Sequence, residues 1–406
     1  MMRFLALDLG STYTKAALME GAVILRQKSL PTPQAMRTAG GRYEIDAEEY
    51  FAQAQSLLQE LRDGETRALL ISTQMHGCLL TDDDFRPLTP YISWRDGLGA
   101  AKLPEIRSLL GEDSVAASGV PLKANLALCA LLARRMLGDA LPEKARLYTL
   151  GGYIIGRLTG EHVCHMTNAA PTGLADVRQG GWNGALIERA GLSGLTLPRV
   201  ACDVQPVGRW QGIDVYPDLG DQQVCAAGAN LTPETSLHIS VGTAGLIGGL
   251  TAQWARGSYE SRPWIAPGLY LRTVSGLPGG RHMAGLAQLM LGFARRLGAQ
   301  AQEDDVWRLL TACDAPMQAG ADPWNRLTLP PEEWVAALYA DFAQAYAQAA
   351  QRLMLPIQQV AFSGGCAAKN PALRQAICRA FRCGDPQADH DAMRGLAAIA
   401  KICTID

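Results

Sequence analysis

The sequence predicts an α/β protein of two related domains, and three observations carry that prediction. Leu5-Ala6-Leu7-Asp8-Leu9-Gly10-Ser11-Thr12 is echoed 232 positions later by Leu237-His238-Ile239-Ser240-Val241-Gly242-Thr243-Ala244. Both copies alternate apolar residues as a half-buried strand does, then reach glycine and a small hydroxyl residue. Such a turn lets backbone N–H groups approach an anion closely. Strand-like and helix-like segments follow each copy in turn, so each half reads as its own α/β unit. A hairpin of this kind once per half implies two related domains, each offering a phosphate-holding turn to one cleft. That arrangement suits phosphoryl transfer or a nucleotide-driven clamp.

Each element has a local reason. Phe4–Leu9 and Lys15–Met19 flank the first Gly-Ser turn as a strand hairpin. Asp46 is a plausible N-cap for a helix over Asp46–Arg62, whose apolar stripe is Tyr50, Ala54, Leu57, Leu58 and Leu61. Ala68–Ser72 reads as a short buried strand leading into Thr73-Gln74-Met75-His76-Gly77. Ligands of open α/β sheets sit beyond that end of the strands. Asn125–Met136 reads as a second amphipathic helix, and Leu147–Leu158 as a strand-to-helix passage closed by Thr159-Gly160. Asp221 opens an apolar, small-residue helix over Val224–Ala229. In the second half, Leu237–Ser240 and Ala244–Leu250 form a hairpin around Gly242-Thr243. Ser258–Arg281 reads as a Gly- and Pro-rich connection. Pro330-Pro331 opens a long helix with Trp334, Leu338, Phe342 and Leu353 on one side. Val360-Ala361-Phe362 is a strand, turned by Ser363-Gly364-Gly365 into a helix over Pro371–Phe381. A glycine pair there lets a nucleotide lie against backbone.

Composition narrows the class. The 406 residues are 48% apolar with a net charge of −2, which leaves no basic field for nucleic acid or a membrane surface. No apolar run reaches the ~18 residues of a membrane span. The chain opens on a strand pattern, so a cytoplasmic location without a signal peptide is expected. The ten cysteines, Cys313 among them, are scattered and read as reduced thiols. His162-Val163-Cys164-His165 is too crowded for usual zinc spacing, so no metal is expected there.

Taken in chain order, the motifs resemble the FGGY carbohydrate kinases, within the actin-like ATPase clan. Asp8-Leu9-Gly10-Ser11-Thr12 with Lys15 is similar to the first phosphate motif. Ser72-Thr73-Gln74-Met75-His76-Gly77 resembles the Gln-Met-His-Gly sugar loop of xylulokinases, and Trp94-Arg95-Asp96 the Trp-x-Asp element. Leu158-Thr159-Gly160, Thr167-Asn168-Ala169-Ala170, Thr172-Gly173-Leu174 and Trp182 resemble the next block. Gly220-Asp221-Gln222 matches the segment that carries the catalytic base, Gly242-Thr243 the second phosphate motif, and Gly364-Gly365, Ala367, Lys369 and Asn370 the adenosine motif. Two departures stand out. Leu98 occupies the place, two residues after Asp96, where the family usually carries a charge. Gly395-Leu396-Ala397-Ala398 matches the family's Gly-Ala-Ala helix only in part.

The resemblance implies two actin-like (ribonuclease H-like) α/β domains with an interdomain catalytic cleft. Residues 1–232 would bind sugar and carry the first hairpin, and residues 233–406 would bind ATP. It implies ATP and Mg2+ as cofactors, with Asp8 holding the metal directly or through water. Gly10, Ser11, Thr12, Lys15, Gly242, Thr243, Gly364, Gly365, Lys369 and Asn370 would meet the nucleotide. Gln74, Met75, His76, Trp94, Asp96, Asn168 and Asp221 would meet the sugar. On its residues alone Asp221 reads as a helix N-cap; the resemblance makes it the general base that accepts the sugar hydroxyl's proton. The expected activity is phosphorylation of a ketose, D-xylulose first. Sedoheptulose or another ketose or polyol follows; Leu219–Gln223, Arg262-Pro263 and Gly279-Gly280-Arg281 are similar to the sedoheptulokinase branch. The rival from another class is a non-catalytic actin-like clamp or sugar sensor. The expected partners are a small-molecule sugar and a second copy in a homodimer, with no nucleic acid and no membrane.

Overall fold

The computed structural model describes residues 2–312, 328–384 and 391–403; Cys313 lies outside them. The chain divides into two compact units. Unit 1 holds Met1–Gly228, Glu260–Tyr270 and the stretch from Ala392 onward, and unit 2 holds Ala229–Tyr259 and Leu271–Asp391. The sequence suggested two continuous halves meeting at 232–233. Here two stretches of the second half return to unit 1.

Unit 1 is built on strands β1 (Arg3–Leu9), β2 (Tyr13–Glu20) and β3 (Val23–Pro31), helix α1 (Ala47–Leu61), strand β4 (Thr66–Thr73), helix α2 (Ala127–Met136), strand β5 (Ala145–Tyr148), helix α3 (Leu150–Thr159), strand β6 (Ile213–Gly220) and helix α4 (Asp221–Gly228). Its main sheet runs β6-β4-β1-β2-β3, with the short strand Gly208–Trp210 outside β6. β1 pairs antiparallel with β2 and parallel with β4, and β4 pairs parallel with β6. Asp46 caps α1, accepting from the Glu48 and Glu49 N–H groups, and the expected stripe of Tyr50, Ala54, Leu57, Leu58 and Leu61 is buried. The helix Ala392–Ile402 packs on α4 at glycines: a Cβ on Gly395 would lie 2.0 Å from the Val224 carbonyl oxygen.

Unit 2 repeats the theme with strands β7 (Ser236–Val241), β8 (Gly245–Thr251) and β9 (Tyr270–Leu277), helices α5 (Gly280–Arg296), α6 (Glu303–Thr311) and α7 (Pro331–Leu353), strand β10 (Gln359–Ser363) and helix α8 (Pro371–Phe381). β7 pairs antiparallel with β8 and parallel with β10, as β1 does with β2 and β4. The expected connection over 258–281 is corrected: it contains the strand Glu260–Pro263 and all of β9. Charged residues mask the alternation there. Arg262 and Arg272 are nonetheless buried, because each is paired within the protein. Among the described residues no helix is long and apolar enough to cross a membrane.

Candidate functional site

Strand register assembles the site in unit 1. Leu9 of β1 lies beside Thr73 of β4, and Thr73 beside Gly220 of β6. Three parallel strands therefore end in one row, and the turns after them emerge at one sheet edge. They are Gly10–Thr12, Gln74–Gly77 and Asp221.

The first turn is a tight hairpin. The Gly10 N–H donates to the Tyr13 carbonyl over 3.1 Å, and a Cβ on Gly10 would lie 2.8 Å from that oxygen. Ser11 is half-buried and Thr12 exposed. Asp8 and Lys15 are cross-strand partners, so the carboxylate and the ammonium flank the base of the hairpin. Asp8 Oδ1 accepts from the Ser72 hydroxyl over 2.8 Å. A half-buried carboxylate beside an anion-holding turn fits Mg2+, which takes one or two protein carboxylates and fills its shell with phosphate oxygens and water. Among the described residues no cluster of three or more histidine, cysteine or acidic side chains could enclose a metal alone.

The second turn divides its residues between support and display. Gln74 donates to the Tyr50 hydroxyl (2.8 Å) and to the Gly10 carbonyl (3.3 Å), and its side-chain oxygen accepts from Ser93. It holds the hairpin rather than presenting a polar end of its own. Met75 packs on Gly220, where a Cβ would lie 2.5 Å from its sulfur. His76 has φ of 71°, a left-handed conformation that non-glycine residues adopt only when the surroundings enforce it. Gly77 leaves no room for a side chain, since any Cβ there would meet the Tyr91 hydroxyl at 2.2 Å. His76 Nδ1 is 3.1 Å from the Pro171 carbonyl. A carbonyl only accepts, so Nδ1 carries the proton and Nε2 keeps its lone pair. Burial, then the Lys123 and Arg262 charges, hold the imidazole well below its ordinary value.

Asp221 starts α4 directly after Gly220. Its Oδ1 accepts from the Gln222 N–H over 2.8 Å. Burial pushes its carboxyl up to about 6, against the Gln222 N–H and the Arg262 charge. The Arg262 guanidinium donates to the Gln222 side-chain oxygen and, through Nε, to Glu260 Oε2 over 2.7 Å. Lys123 Nζ lies 3.0 Å from Glu260 Oε1. Burial opposes the Glu260 charge, but Arg262 and Lys123 outweigh it and hold the carboxyl well below the usual range. Glu260 and Lys123 stand out only in the structure: they are 137 residues apart, and neither belongs to a motif.

Two expected sugar residues, Asp96 and Asn168, hydrogen-bond to protein groups. Asp96 is buried and accepts from Arg134 (2.7 Å) and from the Tyr43 and Leu98 N–H groups (2.9 and 3.2 Å). Arg134 also reaches Glu44 at 2.7 Å. A cation from α2 thus meets Asp96 in a chain that has Leu98 two places on. The Asn168 amide donates to Asp218, to Oδ2 over 2.8 Å and to the carbonyl over 3.1 Å. Trp94 is half-buried, with the Arg95 guanidinium 5.7 Å from its ring centre.

Unit 2 holds the second cradle. The Gly280 N–H donates to the Gly242 carbonyl (2.7 Å) and the Arg281 N–H to that of Thr243 (3.0 Å). Gly364, at φ of 93°, comes so close that a Cβ would lie 2.6 Å from the Val241 carbonyl oxygen. Beside these glycines is a cavity of about 520 Å³ lined by Gly280, Ala284, Trp307, Gly365, Lys369 and Asn370, among others. A predominantly apolar pocket opening onto bare backbone suits a planar base with a phosphate tail. Asn370 lines it while capping α8 and donating to the Tyr339 hydroxyl over 2.8 Å. Trp307 and Ala284 carry no motif, and only the fold brings them there.

The fold and the two glycine cradles define an actin-like α/β protein with a glycine hairpin in each unit. Residues 3–212 match the N-terminal domain of the FGGY family of carbohydrate kinases, and the chain belongs to that family. It is 24% identical over 259 residues to a xylulose kinase of Escherichia coli, covering 60% of this chain and 53% of that one. It is 26% identical over 242 residues to a glycerol kinase of Thermococcus gammatolerans, covering 56% and 48%. The chain spans about half the length of these relatives. In structure it is similar to a xylulose kinase from Rhodospirillum rubrum, with a TM-score of 0.85 at 19% identity over 98% of this chain and 90% of that one.

Proposed function

We propose that this protein is an ATP-dependent carbohydrate kinase that phosphorylates a hydroxyl of a ketose, D-xylulose first and sedoheptulose next. The observation that carries the proposal is Asp221: a carboxylate at the end of a parallel strand, directly after the Gly220 on which Met75 packs, and pushed up to about 6 by burial against the Arg262 charge. A base tuned close to working pH accepts a proton without being protonated in the resting enzyme.

In this proposal Asp221 takes the acceptor hydroxyl's proton as the γ-phosphoryl group of ATP arrives. His76 Nε2 accepts a hydrogen bond from a sugar hydroxyl, and Met75 and Trp94 give apolar walls. Gln74 and Asp96 brace the site through Tyr50 and Arg134, and Asn168, whose amide donates to Asp218, keeps its Oδ1 for the sugar. Gly10–Thr12 and Gly242–Thr243 offer N–H groups to phosphates, and Lys15 adds a cation. Gly364, Gly365, Lys369 and Asn370 border the nucleoside. Asp8 would hold Mg2+, which neutralises phosphate charge when bound.

The test is ADP release with D-xylulose, sedoheptulose, glycerol and gluconate as acceptors. The proposal expects sugar-stimulated ADP, greatest with a ketose. Preference for glycerol or gluconate would keep the kinase and move the substrate. Slow ADP formation indifferent to every acceptor would favour the clamp or sensor.

A further inference from the structure

The stretch Glu260–Tyr270 belongs to unit 1, although the residues on both sides of it in sequence belong to unit 2. Several contacts hold it. The Ser261 N–H donates to the Gly119 carbonyl over 2.8 Å, and Gly119 must be glycine because a Cβ there would lie 2.0 Å from the Ser261 oxygen. Gln223 donates to the Pro263 carbonyl over 3.0 Å. Lys123 and Arg262 grip the two oxygens of Glu260, and Arg262 reaches on to Gln222. Lys123, Glu260, Arg262 and Gln222 thus form one largely buried chain of polar contacts. It ends on the residue after Asp221. Burying such a chain is costly unless every member is paired, and here each member is.

We infer that Arg262 is a positioning residue for Asp221: it fixes the Asp221-Gln222 turn, and Glu260, itself held by Lys123, fixes Arg262. Arginine suits this place because its planar fork addresses Glu260 and Gln222 at once, which a lysine point charge cannot. For its chemical consequence the inference rests on the kinase proposal above. Its structural content does not.

The experiment compares the parent with Arg262→Met, Arg262→Lys and Gln222→Leu in two measurements. In amide hydrogen exchange by mass spectrometry, peptides spanning residues 219–226 should exchange about tenfold faster or more in Arg262→Met, while peptides from β1 and β2 keep the parent rate. Arg262→Lys should fall between. In steady-state kinetics with the best acceptor, Arg262→Met should lower kcat by about tenfold or more, since a small misplacement of a reacting group costs that much. The KM for ATP should stay within about twofold, and Arg262→Lys should recover part of kcat. Gln222→Leu leaves the Lys123–Glu260–Arg262 contacts in place, so it tests the grip if Arg262→Met does not fold. Unchanged exchange over 219–226, or exchange that rises everywhere alike, overturns the inference. A parent that phosphorylates none of the acceptors defeats the kinase proposal instead, and the exchange pattern then decides the positioning role by itself.

Discussion

The side-chain amide of Asn168 donates to Asp218 Oδ2 over 2.8 Å, inside a shell completed by the Thr149 hydroxyl on the same oxygen and the His165 N–H on Oδ1. Asp218 is three residues before Asp221 on the same strand-to-helix passage, and α3 comes so close that a Cβ on Gly151 would lie 2.3 Å from the Asp218 Cβ. Burial pushes the Asp218 carboxyl up to about 7, against those three hydrogen bonds. One passage thus carries two raised carboxyls in different settings. Asp218 is enclosed by protein donors, and Asp221 is half-buried at the sheet edge.

A pH dependence of stability follows. Asp218 titrates at about 7 in the fold and near 3.8 in the unfolded chain. Between these values the folded state keeps a proton that the unfolded state has lost, so this residue's contribution falls as pH rises through that window and is constant above it. In Asp218→Asn the contribution disappears. Urea unfolding of both proteins at pH 5, 6, 7 and 8 should show the parent losing stability relative to the variant up to pH 7, by at most about 1.4 kcal/mol per unit. A difference that does not change with pH would mean that Asp218 is ionised throughout.

Acceptor and nucleotide losses should separate. His76→Ala removes one buried hydrogen-bond partner, a change of about 1–3 kcal/mol, so the apparent sugar affinity should weaken by about fivefold or more while ATP affinity holds. Equal loss for both substrates would point to damage beyond the sugar loop.

The reverse pattern is expected in unit 2. Gly364→Ala adds a Cβ 2.6 Å from the Val241 carbonyl oxygen at a φ of 93°. Two penalties coincide there, contact and a left-handed backbone of about 1 kcal/mol or more. ATP binding by calorimetry should weaken by about tenfold with sugar affinity retained. Unaltered ATP binding would remove Gly364 from the nucleotide cradle.

The backbone of the site is written in local sequence. The Asp8–Thr12 and Val241–Thr243 turns, the Gln74–Gly77 turn, and Asp221 at a helix start all follow strands whose apolar alternation is short and plain. Within unit 1, register then aligns the three strand ends without further information. What sequence hides is everything set by distant pairing. Arg134 holds Asp96 and Asp218 holds the amide of Asn168, pairings that no motif records. Glu260 sits in a Gly- and Pro-rich stretch and gains meaning only beside Lys123. Trp307 borders the unit 2 cavity because α6 packs near α5, which no motif records.

Asp221 gives the sharpest test of the proposed chemistry. Its carboxyl titrates at about 6, so the ionised base should prevail at neutral pH and be lost as pH falls. The acid limb of kcat/KM, which reports the free enzyme's base, should therefore lie near pH 6. Asp221→Asn keeps the size of the side chain and an oxygen for the Gln222 N–H, so the turn survives. It removes only the proton-accepting charge. Loss of a general base typically costs ~10²–10⁴-fold, so kcat should fall into or below that range and the acid limb should vanish from whatever activity remains. ATP affinity should change little. Relative to the parent, the variant should gain stability as pH rises from about 4 to about 6 and hold that difference above, because it no longer ionises a carboxyl that the fold holds up at about 6. A variant that keeps more than about a tenth of the parent rate and an unshifted acid limb would leave Asp221 as the cap of α4, with the proton going elsewhere.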